Sequence, residues 1–379
     1  MIGGGVAGLT VAALLGRTGG HSVTVLERVT AYGDAGYGLG LYPLGGAVFN
    51  ALGAREQVHE RSCELATYRV CGPSGETLQE VSLRELLAPY GQMRGISRAD
   101  VLAILASYVS EGCLRLGVTC TAVRAVDGGV VVETSDGSEH EGDVVVVADG
   151  MHSRVRESLF GPAKEHDTGF DAWMWWAPMG GLEPTLVTEY WGPTAFVGVY
   201  PAKDALNVAV GIPRRLSPDP GDGPEAILSR LRELASEHNP AGASLDVWSA
   251  AKGAPFPWRL ADVRAPQLSA LDGRVALVGD SGVGFLPTAG VGASNAMRSA
   301  AALAYELSLA DAGSAPAAVA RWNTRVGDLV RGNQEDSRKL AKVMMVEHKT
   351  TSRVIDAVMK HMPITMMTKS IVRSMEAPF

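Results

Sequence analysis

Three glycine-bearing motifs, spread along the chain, constrain its fold more than any other feature. Gly3-Gly4-Gly5-Val6-Ala7-Gly8 opens the sequence, Asp149-Gly150-Met151-His152-Ser153-Arg154 lies in its middle, and Gly279-Asp280, followed by Pro287 and Gly290-Val291-Gly292, lies in its last third. The first motif runs into Leu9–Leu15, an apolar stretch that predicts a helix. The turn residues Thr18-Gly19-Gly20 and a strand-like run from His21 to Leu26 follow, ending at Glu27. This is the order of a dinucleotide site. Glycines let the backbone of Gly3, Gly5, Val6, Ala7 and Gly8 approach a pyrophosphate, and the helix amino end supplies free N–H groups and a positive dipole. Glu27, with Arg28 beside it, is placed to meet the adenosine ribose. Only Met1 and Ile2 precede the glycines, where a strand normally takes about five residues. Either the first strand is short or native residues are missing from the numbering.

The other two motifs repeat the logic. Asp143–Ala148 reads as a buried strand that delivers Asp149 at its carboxyl end, where ligands of open α/β sheets bind. A hairpin region after Leu114–Val118 precedes it, with strands at Ala122–Val126 and Val130–Thr134. Arg274–Gly279 is a strand ending in Asp280, an acid that can hold a polyol hydroxyl. Gly290-Val291-Gly292 starts a helix through Leu307 whose amino end would stabilise charge on a reduced ring. Alone, an Asp-Gly turn is ordinary. Together and in this order the three motifs point to one extended dinucleotide, FAD.

On these residues the chain resembles the FAD-dependent group A aromatic hydroxylases, the para-hydroxybenzoate and salicylate hydroxylase-like monooxygenases, from Met1 to about Glu306. Asp149–Arg156 is similar to that family's D-G motif, and Gly279-Asp280, Pro287 and Gly290-x-Gly292 are similar to its G-D motif. Ile96–Leu102 resembles its arginine-bearing helix start, which implies Arg98 near the flavin phosphate and ribityl chain. Gly36–Pro43 resembles the mobile loop beside the flavin. The resemblance implies an α/β fold: a Rossmann-like, glutathione-reductase-like FAD-binding domain (1–70, 96–165 and 266–330), an inserted mixed β-sheet substrate domain (71–95 and 166–265) and a C-terminal helical segment (331–379). It implies FAD as cofactor and NADPH or NADH as co-substrate docking near the D-G motif. The implied reaction hydroxylates or epoxidises an apolar, aromatic or polyketide-like molecule through a flavin C4a-hydroperoxide. Pro287 and Gly290, with Val291, would border the flavin ring, and no acid–base residue is assigned. Where the family reads Gly-Asp-Ala-Ala-His, this chain reads Gly279-Asp280-Ser281-Gly282-Val283, so any role of that histidine is lost.

Between Phe170 and Pro257 the pattern changes to aromatic-rich strands. Trp175, Tyr190 and Tyr200 are candidates to line an apolar substrate pocket; the alternative is that they form the core of their own sheet. Trp173-x-Trp175-x-Ala177-Pro178 is close to a halogenase signature, so halogenation is one alternative function, and a non-redox cyclase keeping FAD as a structural element is another. Ser217–Pro224 reads as a surface linker, and Glu225–Ala235 and Ser299–Leu309 as amphipathic helices. The tail is helical in period from Ala317. From Met344 it carries seven methionines, including Met359, Met362, Met366 and Met367, among basic residues such as Lys349 and Lys369. It reads as a cap on the FAD domain, a pliable lid, or a contact with a membrane surface.

Composition narrows the partners. A net charge of −7 without a long basic run argues against nucleic acid. No uninterrupted apolar run is long enough to span a bilayer. Four cysteines without a C-x-x-C pair, and scattered histidines, predict no metal site. The expectation is a cytoplasmic monomer or homodimer acting on a small molecule.

Overall fold

The cofactor half is built on one short-stranded parallel sheet. In the computed structural model, which describes residues 1–33, 36–362 and 372–376, Val25–Glu27 pairs in parallel with Leu114–Leu116, and Val145–Val147 with Val275–Leu277. Ile2 bridges Leu26 on one side and Val147 on the other, and so joins the two pairs. The backbone of these residues is fully used. The Ile2 N–H donates to Val146 O (2.8 Å), the Gly3 N–H to Leu26 O (2.8 Å), and the Ile2 and Met1 carbonyls accept from Ala148 and Leu26. The strands Val145–Val147 and Val275–Leu277 are buried throughout, as expected where helices cover a parallel sheet. The helices Val6–Thr18 and Gly292–Ser308 pack against each other over this core. Cys120–Val126, Gly129–Thr134 and Glu139–Gly142 form an antiparallel meander.

The second half is a seven-stranded sheet. Its spatial order is Lys252–Val263, Glu165–Pro178, Ala205–Pro213, Phe196–Ala202, Leu186–Trp191, Thr67–Cys71 and Thr77–Ser82. All neighbours are antiparallel except Leu186–Trp191 and Thr67–Cys71, which run parallel. The boundary drawn from the sequence at 70/71 therefore cuts a strand, since Thr67 is already paired with Leu186. A small sheet of Gly38–Leu41, Arg94–Ser97 and Ser62–Glu64 lies between the chain's passages from one half to the other.

Alternation gives the large sheet two faces. Trp173, Trp175, Val197, Val199, Val208 and Val210 pack on the helix Pro224–His238 through Ile227, Leu228, Leu231 and Leu234. Trp191, Phe196 and Tyr200 turn the other way, toward the cofactor half and the C-terminal helices.

Those helices, Ala315–Met344 and Lys349–His361, close the molecule. Val319, Trp322 and Val326 are buried in the cofactor-half core, and Met344 and Met359 in the core beneath the sheet with Trp191 and Phe196. Of the tail's described methionines, Met344 and Met359 pack on the large sheet and Met375 on the cofactor half, so the segment covers both halves and not the FAD domain alone; Met366, Met367 and Lys369 lie outside the described residues. Among the described residues no helix is long and apolar enough to cross a membrane.

Candidate active site

All three glycine motifs meet at the carboxyl ends of the parallel strands, and each pair of them is in contact. The first touches the second: Gly3 has φ +98°, and a Cβ there would sit 2.3 Å from Ala148 O. The first touches the third: a Cβ on Gly279 would sit 3.0 Å from Ala7 Cβ. The second is tied to the third by the buried Arg156, which donates to Met151 O (2.8 Å) and Ser281 O (3.2 Å). The sequence marks Arg156 as the end of the D-G motif but gives it no role, because nothing local shows that its partners are carbonyls, one of them in a distant loop.

The helix Val6–Thr18 points its amino end into this junction. A Cβ on Gly8 would lie 2.0 Å from Gly3 O, so only glycine lets the helix start so close to the loop. No side chain caps that end, with Gly5 as N-cap, so its first N–H groups have no intrahelical partner. Glu27 lies alongside. Its carboxylate accepts from the Gly4 N–H (2.6 Å) and the Val29 N–H (3.0 Å), leaving lone pairs for hydroxyl donors. The Tyr32 hydroxyl donates to Gly4 O (2.7 Å). Arg28 is exposed.

Asp149 ends its strand with Oδ1 buried and unpartnered, and burial pushes its carboxyl above the usual range. Asp280, deep in the fold yet open on one side, is pushed up to about 6 by burial, against the opposing pull of Arg98. Arg98 begins the helix Arg98–Ser107, and its N–H donates to Tyr37 O (3.0 Å). Tyr37 is itself pushed up to about 12 by burial. Its ring meets Trp258 edge-on at 4.7 Å, and Trp176 Nε1 donates to Gly36 O (2.7 Å), so the large sheet grips this loop. Beside it, a cleft of about 510 Å³ is lined by Gly36, Tyr37, Ser97, Trp176, Lys203 and Lys252.

Pro287–Ala289 forms a 3-10 turn closed by Gly290 at φ +61°, and nothing lies within 4 Å of a Cβ built there. Val291 leads into the helix Gly292–Ser308, again without a side-chain cap. Gly279, Asp280, Gly292 and Asn295 line a small gap at the start of this helix. Ser281 is fully buried and donates to Val147 O (2.6 Å) and Val278 O (2.9 Å). It stitches the strand ends, and Val283, at the position of the family's histidine, is buried in the core.

Of the three aromatic candidates, two belong to the wrong face. Trp175 is buried against Trp248 and donates to Val247 O (2.8 Å), and Tyr190 packs with the same helix-side core. Tyr200 alone faces the cofactor half, and it brings two residues that sequence reading missed. Glu189 is 4% exposed and accepts from the Tyr200 hydroxyl (2.8 Å), the Tyr68 hydroxyl (2.5 Å) and the Trp191 indole N–H (3.0 Å). Tyr42 lies near enough to feel the charge of Glu189, and its hydroxyl donates to Ala289 O (3.4 Å), which links this cluster to the Pro287–Gly290 turn.

Residues 1–321 match the family model described as FAD binding domain. The chain belongs to the FAD binding domain family. It is 33% identical to a 3-amino-4-hydroxybenzoate 2-monooxygenase of Streptomyces platensis over 332 residues, 84% of this chain and 81% of that one. It is 28% identical to the aurachin C monooxygenase/isomerase of Stigmatella aurantiaca over 338 residues, 87% and 86% of the two chains. Its fold superposes on that of Klebsiella pneumoniae HpxO, solved with FAD and uric acid, with a TM-score of 0.85 at 21% identity, covering 100% of this chain and 96% of that one. The protein is an FAD-dependent monooxygenase. These relatives support oxygen transfer over the halogenase alternative. The Trp173-x-Trp175 pair that suggested halogenation is core: both rings are buried on the helix-side face, Trp173 donating to Ser217 Oγ (2.8 Å).

Proposed function

We propose that the protein uses NADPH or NADH and dioxygen to place one oxygen atom on an apolar aromatic molecule held between the turn Pro287–Gly290 and the sheet face bearing Tyr200. The pairwise closure of the three glycine motifs carries this reading, because it makes one continuous cradle for a long dinucleotide. In that cradle the first-turn N–H groups at Val6, Ala7 and Gly8 take the pyrophosphate. Glu27 takes ribose hydroxyls, and Arg28 flanks it. Arg98 and Asp280 hold the phosphate and polyol portion, and the unpartnered Asp149 Oδ1 gains a donor. Pro287, Gly290, Val291 and Gly292 border the ring, where the uncapped helix stabilises negative charge. FAD, once reduced, supplies the electrons that activate dioxygen. The chain binds, orients and excludes water. That the relatives named above act on 3-amino-4-hydroxybenzoate and make or convert aurachin C supports an aromatic substrate.

The test is the absorbance spectrum of the purified protein, followed anaerobically as NADPH or NADH is added. Bleaching of a bound flavin and recovery in air is the expected result. A protein that binds no flavin after FAD is supplied overturns the reading.

A further inference from the structure

The helix Ala315–Met344 holds both ends of the segment that carries the turn Pro287–Ala289. At the near end, Ser337 Oγ donates to Leu286 O (2.8 Å) and Thr288 Oγ1 donates to Ser337 O (2.9 Å). At the far end the contact is a chain of buried side chains. Asn333, one turn earlier on the same helix, donates through Nδ2 to Asn295 Oδ1 (2.7 Å), and Asn295 Nδ2 donates to Val291 O (3.0 Å). The Asn333 amide has a second hydrogen to give, and Ser374 Oγ accepts it (3.2 Å). Ser374 is buried too, and its backbone oxygen accepts from Arg298 Nη1 (2.6 Å). It comes from a short helical piece, 372–376, that no motif in the sequence marks.

Packing alone does not call for this chain. Apolar side chains of the same shape could fill the space without the cost of desolvating two amides and a hydroxyl. What the chain adds is direction. Val291 O already accepts from the Asn295 N–H (2.9 Å), the first backbone bond of the helix Gly292–Ser308. The Asn295 side chain gives the same oxygen a second donor. That carbonyl shares its peptide unit with the Gly292 N–H, and a carbonyl holding two donors polarises the unit, so its N–H becomes a stronger donor in turn. Bonds in series strengthen one another, and Asn333 extends the series by donating to Asn295 Oδ1. The Gly292 N–H is one of the groups at this helix end without an intrahelical acceptor, and no side chain caps it.

We propose that Asn333 and Ser374 act through Asn295 to keep the Val291–Gly292 peptide a polarised donor toward the cofactor ring, and so make the bound flavin easier to reduce. The inference rests on the placement of FAD argued above, in which Val291 and Gly292 border the ring. Both Asn333 and Ser374 are positioning residues, since each works through Asn295 and one peptide unit. A reduced ring carries more negative charge than an oxidised one, so a stronger N–H donor beside it favours the reduced form. Ser374 contributes by occupying the second hydrogen of the Asn333 amide, which fixes the first on Asn295. Without that partner a buried N–H is left unpaired, and the amide gains by turning away from Asn295.

The experiment is an anaerobic titration of the FAD-loaded protein with dithionite in the presence of a reference dye. It reads the ratio of reduced to oxidised flavin at a fixed state of the dye. Asn333→Ala should hold FAD and lower that ratio at least about three-fold, the effect of weakening one hydrogen bond. Ser374→Ala, a milder change, should lower it about two-fold. In an Asn295→Ala background, Asn333→Ala should have no further effect, because the link it works through is gone. Gln334→Ala removes a buried amide of the same helix that lies outside this chain, and should lower the melting temperature while leaving the ratio as in the wild type. A wild-type ratio in Asn333→Ala or in Ser374→Ala overturns the inference. So does an Asn333→Ala shift that persists in the Asn295→Ala background, or a Gln334→Ala shift of equal size, which would mean general loosening of the helix. Because dithionite supplies the electrons and no substrate is needed, failure of the monooxygenase reading would appear separately, as absent flavin or flavin that NAD(P)H does not reduce.

Discussion

At the scale of single residues, the site is a set of groups whose surroundings hold them away from their ordinary behaviour. Asp280 is the clearest. An acid whose pKa in the fold is raised, here to about 6, favours the folded state only while it is protonated. The apoprotein therefore loses stability as pH climbs from about 4 toward 6, and above that range it bears the full penalty, on the order of 2 kcal/mol. Asp280→Asn should raise the melting temperature of the apoprotein by roughly 2 to 4 °C at pH 7.5 and leave it unchanged at pH 4. Asp280→Ala, which keeps no hydrogen-bonding group, should sharply lower the FAD retained through gel filtration; wild-type retention would remove Asp280 from the cofactor site. Gly198 is constrained by space, since the Tyr200 ring occupies the position of its missing Cβ. Gly198→Ala should cost about 1–3 kcal/mol in denaturant unfolding. An alanine variant with unchanged stability would show that the ring has room to move.

Among elements, the motifs readable from sequence were those whose chemistry is local. Gly3–Gly8 followed by an apolar run announces a loop and a helix start because the same few residues do both jobs, and Gly290–Gly292 does so again. Asp149 and Asp280 were legible because each ends a short buried strand. The substrate side was not. Alternation says that Trp175 and Tyr200 lie on opposite faces of their strands only after the register of those strands is known, and sequence does not say which face looks toward the cofactor. Glu189, Tyr68 and Gly198 come together through pairing across three strands, with Tyr68 more than a hundred residues before Glu189. Arg156 is another such element-level link. It joins the start of the helix Arg154–Phe160 to the loop after Val275–Leu277. Arg156→Ala should leave buried carbonyls unpaired, lower stability by about 2–4 kcal/mol and weaken FAD binding even though the side chain need not touch the cofactor. A variant that loses stability at saturating FAD but binds it with unchanged affinity would confine Arg156 to a packing role.

For the whole molecule, the helix Ala315–Met344 is the member that sees both halves. Gln334 donates to Val263 O (2.8 Å) in the large sheet and to Gly284 O (2.5 Å) in the cofactor half. Arg338 pairs with the fully buried Asp262 (2.5 Å), while Thr288, in the turn beside the proposed ring site, donates to Ser337 O (2.9 Å). Removing one partner of a buried ion pair strands the other's charge, whereas removing both does not. Arg338→Met should therefore lower stability by about 3–5 kcal/mol, and Asp262→Asn combined with it should recover much of that loss in a double-mutant cycle. Additive effects would mean that the pair is not coupled.

The parallel seam between Thr67–Cys71 and Leu186–Trp191 also sets an order for synthesis. The hairpin Thr67–Ser82 leaves the ribosome well before the strand that will cover its inner edge exists. Until Leu186–Trp191 emerges, that edge presents open backbone groups and the apolar side chains of Val70 and Leu78 to whatever is near. Nascent chains arrested just before Leu186 should be cleaved readily by protease within this hairpin, and chains arrested well past Pro213 should resist. The same topology that brings Tyr68 to Glu189 thus leaves the growing chain dependent on an early strand waiting, unpaired, for a late one.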